Sequence, residues 1–186
     1  MAQFGHQHLF ELGEDKTRYR LLTREGVRIE EIGGRKVLRV DRAALESLAR
    51  EAFVDISYFL RTSHLSQLAR ILDDPEASDN DRYVAHALLK NAVVAAEQRL
   101  PSCQDTGTAI VYAHKGESVW TGADDEEALC KGIYDTFQQK DLRYSQLAPL
   151  TMFEEKNTGT NLPAQVEIHA APGEEYRFLF LAKGGG

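Results

Sequence analysis

Hydrophobic and polar positions change rhythm along this chain, and each rhythm predicts a different kind of element. From Tyr19 to Val40, "YRLLTREGVRIEEIGGRKVLRV" alternates apolar and polar residues around Gly33-Gly34. A period of two predicts a pair of strands closed by a two-residue turn. Val27, Ile29 and Ile32 are the apolar positions before the turn; Val37, Leu38 and Val40 follow it. The hairpin reads as an antiparallel appendage with a structural role.

Between Asp41 and Leu100 the spacing lengthens to that of helices. Asp41 is the expected N-cap of the first, with Leu45, Leu48, Ala49 and Phe53 facing inward and Glu46 and Arg50 outward. A turn near Thr62-Ser63 opens a second helix that reaches Ile71, and the polar stretch "DDPEASDNDR" ends it. A third helix is expected from Asn80 to Gln98, carrying Tyr83, Leu88, Leu89, Ala92, Val93 and Ala96. Arg99-Leu100-Pro101 closes it, because the residue before proline avoids the helical region.

After Pro101, strand and helix patterns alternate. "TAIVYAHKG" reads as a buried strand with a Lys-Gly turn, and "DDEEALCKGIYDTFQQK" as a helix whose acidic start suits the macrodipole. "LRYSQLAPLTMFEEKNTGTNLPAQ" has little periodicity, yet its apolar and aromatic residues argue against disorder. Long irregular segments inside a domain are usually functional. "VEIHAA" and "YRFLFLA" read as strands on either side of a Pro172-Gly173-Glu174 turn. The expected class is α+β: an N-terminal β-hairpin appendage, a helical region, then mixed β-strands with flanking helices. The expected division is a hairpin extension over residues 1–40 and a second unit over residues 41–186.

Composition narrows the function. The chain has 186 residues, 42% hydrophobic and 27% charged, the profile of a globular protein, enough for one ordinary domain or one and a half small ones. A net charge of −7 argues against a basic surface that grips nucleic acid, but permits a local cationic pocket for a small anion. No apolar run approaches the ~20 residues of a membrane span. The start, "MAQFGHQHLFELGEDK", lacks the basic-then-apolar order of a secretory signal. With Cys103 and Cys130 as the only cysteines, no disulfide framework is expected, and the reading is a reducing, cytoplasmic setting.

Chemistry concentrates in "RLPSCQDTGTAIVYAH". Cys103 sits between a Pro-Ser turn and Gln-Asp-Thr-Gly, where a metal or cluster ligand, a nucleophile and an inert turn thiol are all open readings. Zinc is disfavoured, since no CxxC or suitably spaced His stands nearby. Cys130, beside Leu129 in the predicted amphipathic helix, reads as a packing residue. Asp105 could cap a turn or act as an acid or base. Arg143 could lie on the surface or clamp a carboxylate with its planar fork. The six histidines, His6, His8, His64, His86, His114 and His169, form no convincing ligand pair. Glycine spacing matches no nucleotide-binding motif. The closing "YRFLFLAKGGG" puts a glycine run straight after a strand, which is either a flexible tail or an anion-cradling turn.

Four strings, "LPSCQDTGTAIV", "VWTG", "LRYSQLAPLTMFEEKNTGTNLPAQ" and "FLAKGGG", resemble the class I, iron–sulfur fumarate hydratases. They cover Leu100 to Gly186. The resemblance implies a hydro-lyase that interconverts fumarate and (S)-malate with a [4Fe–4S] cluster held by three cysteines. Its open iron would serve as a Lewis acid. It implies Cys103 as the first metal ligand, Gln104, Arg143 and Gly186 as substrate-binding, and Asp105 as catalytic. It implies a dicarboxylate substrate, no nucleic-acid or membrane partner, and a homodimer in the full-length family.

The family's two further cluster cysteines have no counterpart here. Residues 41–186 would thus be an incomplete cluster-binding domain, and the chain a fragment or split subunit that is inactive alone. A tartrate dehydratase-type subunit is the alternative within the family. A non-catalytic module that needs a carboxy-terminal partner chain is the alternative outside catalysis.

Overall fold

Gly33 and Gly34 both adopt positive φ, +59° and +76°, in the computed structural model, which describes residues 19–184. Two left-handed residues in a row make the tight turn that matches strand twist. They join β1 (Val27–Ile32) to β2 (Arg35–Val40) in antiparallel register, Ile32 opposite Arg35. The other edge of β2 pairs in parallel with the two-residue β4 (Val119–Trp120). Val37 and Val40 are buried, whereas Val27, Ile29 and Ile32 stay exposed on the outer strand.

Three helices follow. In α1 (Arg42–Tyr58), Leu45, Ala49 and Phe53 are buried at four-residue spacing, with Leu48 half-buried beside them. Asp41 occupies the N-cap position but makes no side-chain cap; both its carboxylate oxygens accept from Arg28 Nη1 at 3.0 Å. α2 (Thr62–Asp73) and α3 (Asp79–Ala96) form a helical pair in which α2 has no buried residue. Ser78 and Asp81 close a reciprocal capping box at the start of α3. Tyr83, Leu88 and Val93 are exposed, and α3 buries Ala85 and Ala95 instead.

The second sheet has order β7-β3-β8. β3 (Thr108–Gly116) lies parallel to β7 (Gln165–Ala171) and antiparallel to β8 (Tyr176–Lys183). The β7–β8 turn therefore passes across the end of β3. Gly116 donates to the Glu175 carbonyl there, and a Cβ on Gly116 would lie 2.4 Å from the Gly173 carbonyl oxygen. Lys115 and Gly116 stay within β3, and the turn falls one step later, at Glu117-Ser118. The aperiodic segment also carries structure: β5 (Leu147–Pro149) and β6 (Glu155–Asn157) form a small hairpin whose tip exposes Met152 and Phe153 at 88% and 91%.

Helix α4 (Asp125–Gln139) packs with α1 against one face of this sheet. Ala109, Val111 and Ala113 of β3 are buried there, and the Phe180 ring meets Phe53 edge-on at 6.0 Å between centroids. The two helices touch closely at Gly132, where a Cβ would lie 2.2 Å from the Glu46 carbonyl oxygen and 2.8 Å from Ala49 Cβ. Thr136 Oγ1 stands 3.0 Å from the Arg50 carbonyl of α1. Architecture and order are those of an α+β fold. Among the described residues no helix is long and apolar enough to cross a membrane.

Near the far end of β3, charges are consumed inside the fold. Asp125, 8% exposed, accepts at Oδ2 from Lys115 Nζ at 2.6 Å and from the Tyr176 hydroxyl at 2.9 Å. Lys115 also donates to Thr121 Oγ1 at 2.9 Å, which gives the "VWTG" string a structural task. Burial, and next the hydrogen bond to Asp125, push the Tyr176 phenol well above its ordinary value.

Two outcomes follow from this packing. Gly132→Ala is expected to lower stability in urea titration by about 1–3 kcal/mol, because the methyl overfills the helix contact even as it raises helix propensity. A more stable variant would contradict the close approach. Because the folded phenol of Tyr176 holds its proton more tightly than the unfolded one, its contribution is present below the ordinary tyrosine range. It is lost as pH rises upward from about 10. Tyr176→Phe should flatten the decline of the melting temperature with pH in that range; an unchanged slope would refute the assignment.

Candidate active site

Three connections meet at the opening end of β3: residues 97–107, 140–146 and 158–164. The first is tied down at Ser102, whose N–H donates to the Ser57 carbonyl at 2.8 Å and whose carbonyl accepts from Asn91 Nδ2 at 2.7 Å. Cys103 and Gln104 follow as exposed residues with no hydrogen bond or ion pair to other described residues. The half-buried Asp105 then turns the chain, its Oδ1 accepting from the Gly107 N–H at 3.2 Å. This Asx-turn leaves Oδ2, which faces Gly184, with no hydrogen bond to another described residue.

Gly107 is needed on two counts. Its φ is +70°, and a Cβ there would lie 2.4 Å from the Lys183 carbonyl oxygen and 2.7 Å from the Gly184 nitrogen. The end of β8 thus rests directly on the Cys-Gln-Asp-Thr-Gly loop. Arg143 arrives from the second connection, where the Thr106 hydroxyl donates to its carbonyl oxygen. Its guanidinium is exposed and makes no hydrogen bond or ion pair with other described residues. The backbones carrying Cys103, Gln104, Asp105 and Arg143 are therefore brought together. Gly186 lies outside the described residues.

Several residues that hold this arrangement went unmarked in the sequence reading. Thr108 Oγ1 donates to Gln146 Oε1 at 2.9 Å, and Asn157 Nδ2 donates to the Tyr144 carbonyl at 2.7 Å. Asn161, fully buried, accepts at Oδ1 from the Ser145 and Gln146 N–H groups, both at 2.9 Å. Its Nδ2 donates to the Gly107 carbonyl at 2.9 Å. The available signal was the pair of asparagines in "NTGTNLP", but nothing in the string says which polar residue turns inward.

Arg143 and Lys183 bring positive charge to this end of an acidic chain. The donor set fits one corner of an iron–sulfur cluster and no more. Cys103 is an exposed, free thiol in a polar loop, open to a ligand's approach. Cys130 is half-buried in α4, packed against the core, and burial pushes its thiol up, away from the thiolate that binds metal. Among the described residues, no group of three or more His, Cys, Asp or Glu could hold a metal ion. His114 and His169 are cross-strand neighbours with rings edge-to-face at 6.1 Å on the exposed face of the sheet. His6 and His8 lie outside the described residues.

Known proteins place the chain among relatives. It is 54% identical over 183 residues to the aerobic class I fumarate hydratase of Escherichia coli (strain K12), covering 98% of this chain and 33% of that protein. The mitochondrial fumarate hydratase 1 of Leishmania major is 52% identical over 189 residues, covering 100% of this chain and 34% of that protein. A Methanocaldococcus jannaschii protein named for the alpha subunit of L(+)-tartrate dehydratase is 28% identical over 115 residues, 60% of this chain and 40% of its own length. The chain thus spans about a third of the length of the class I relatives it matches. The profile described as fumarate hydratase (Fumerase) matches residues 46–186, which is most of the chain, and the chain belongs to that family.

Proposed function

We propose that this chain forms the amino-terminal, substrate-gripping part of a class I fumarate hydratase that interconverts fumarate and (S)-malate. The observation that carries the reading is the junction of the Cys103-Gln104-Asp105 loop with the Arg143 loop and the end of β8. There, the side chains of Cys103, Gln104 and Arg143 pair with no other described residue, on backbones that are themselves pinned. Arg143 offers two parallel N–H donors to one carboxylate of the dianion, and the Gln104 carboxamide donates beside it. Adding water puts a hydroxyl on one alkene carbon and a proton on its neighbour, and the transition state loads negative charge onto the carboxylate beside the carbon that gains or gives up the proton. A guanidinium held against that carboxylate lowers the barrier.

Asp105 reconciles its two sequence readings by using one oxygen for each. Oδ1 holds the turn and Oδ2 is free to exchange a proton with the substrate. Cys103 supplies one thiolate of a [4Fe–4S] cluster, and the remaining ligands come from outside this chain. When bound, that cluster offers a Lewis-acidic iron to substrate oxygens. The reading extends to Gly186 as a backbone contact to substrate, to residues 41–186 as the cluster-binding domain, and to a cytoplasmic homodimer. The tartrate-type reading has weaker support, since the relative with that name is distant and matches only part of the chain.

Anaerobic iron–sulfur reconstitution tests this directly, with fumarate formation from malate followed by ultraviolet absorbance. The chain alone is expected to bind iron poorly and show no turnover. Joined by a carboxy-terminal chain built on the remaining two thirds of its relatives, it is expected to become active on malate and not on tartrate. A stable four-iron cluster with full activity in the isolated chain would overturn the division of ligands, and turnover of tartrate alone would reverse the substrate choice. In the active assembly, Asp105→Asn should lower kcat by about 10²–10⁴-fold with iron content unchanged. Cys103→Ala should instead abolish the cluster absorbance. An Asp105→Asn enzyme with normal kcat would remove Asp105 from proton transfer.

A further inference from the structure

Asn161 is where the two halves of the candidate site are joined. The loop bearing Cys103 and Asp105 and the loop bearing Arg143 belong to different connections, and no strand ladder runs between them. The residues after Arg143 take their hydrogen bonds from the "NTGTN" string: Tyr144 O from Asn157 Nδ2, and Gln146 O from the Thr158 N–H at 3.0 Å. Asn161 Oδ1 accepts from both the Ser145 and the Gln146 N–H groups, and in the same planar group Nδ2 donates to the Gly107 carbonyl. One buried carboxamide thus spans both loops.

The residue type is closely determined. Serving two N–H donors and one carbonyl acceptor at once needs a carboxamide; a carboxylate lacks the donor and a hydroxyl lacks the reach. The backbone of Asn161 has a φ of +57°, in the left-handed region that asparagine tolerates better than most non-glycine residues. At 0% exposure, each of these bonds is made in a dry setting where a missing partner is costly.

We infer that Asn161 is a positioning residue that sets the Arg143 guanidinium against the Cys103–Asp105 loop, and so controls how the substrate's carboxylate is held. This rests on the hydratase reading above. It assigns to Asn161 no contact with substrate. Its role is exerted through the two loops, where a displacement of about 1 Å is enough to cost up to 10²-fold in turnover.

The test compares Asn161→Asp and Asn161→Ala in the active two-part assembly, with amide hydrogen exchange at Ser145 and Gln146 as the structural readout. Asn161→Asp keeps both acceptors and loses the donor to Gly107. It should retain amide protection and iron content while KM for fumarate rises about tenfold with a smaller change in kcat. Asn161→Ala should lose the protection and about 100-fold in kcat/KM. Should either variant fail to fold, Thr106→Val removes a second tie between the loops, the bond to the Arg143 carbonyl, and should raise KM in the same direction. An active wild-type assembly whose variants all keep their KM overturns the role of Asn161 alone. A wild-type assembly with no hydratase activity overturns the hydratase reading, and the substrate role of Asn161 with it.

Discussion

The contact of backbone on backbone at Gly107 controls how this molecule is assembled. β8 can run to Lys183 and Gly184 over that position only because no Cβ stands in the way. That passage sets Thr108 opposite Lys183, and from there every pair down the ladder follows. Val111 meets Phe180 and Lys115 meets Tyr176, so the Phe180 ring reaches Phe53 of α1 and the Tyr176 phenol reaches Asp125 of α4. A slip of one residue would turn all of these to the other face of the sheet. Gly116 does the same at the opposite end, where carbonyls of the β7–β8 turn lie across the strand. Two glycines thus bracket β3 and fix its register.

The two ends of β3 then handle charge in opposite ways. Near Lys115, ammonium, phenol and hydroxyl pair within the fold, with the ammonium and the phenol both meeting Asp125 Oδ2, as a buried carboxylate requires. Near Gly107 the side chains of Cys103, Gln104 and Arg143 join no such network among the described residues, and Asp105 Oδ1 holds the turn. A chain that leaves reactive groups unpaired must pin their backbones by other means. Here Ser102, Thr106, Asn157 and Asn161 do so through hydrogen bonds to main-chain atoms.

Much of the local structure was legible from spacing. The Gly33-Gly34 hairpin, the inward stripe Leu45–Ala49–Phe53 and the half-buried Cys130 follow from period, turn chemistry and the burial habit of a thiol. Where the reading diverged, a competing interaction won. Asp41 stands at the cap position but pairs with Arg28, because β1 brings a guanidinium within 3.0 Å. Lys115-Gly116 continues the strand instead of turning, because Asp125 and the Glu175 carbonyl hold both residues in place. The β5–β6 hairpin escaped notice because its strands are three residues long and exposed, leaving no hydrophobic alternation to detect.

The sequence by itself determined the element types, the α+β order and, through four distinctive strings, the family. Pattern alone marked Cys103, Asp105 and Arg143 with their readings left open, and the resemblance supplied their site roles and added Gln104. Only the tertiary structure decided that Asp105 Oδ1 holds the Gly107 turn, that β8 rests on Gly107, and that a wholly buried Asn161 ties the Cys103–Asp105 loop to the Arg143 loop. Local periodicity reports which face of one element is apolar. It carries no record of which distant loops will share a single carboxamide, since that depends on where the sheet and helices bring three separate connections together.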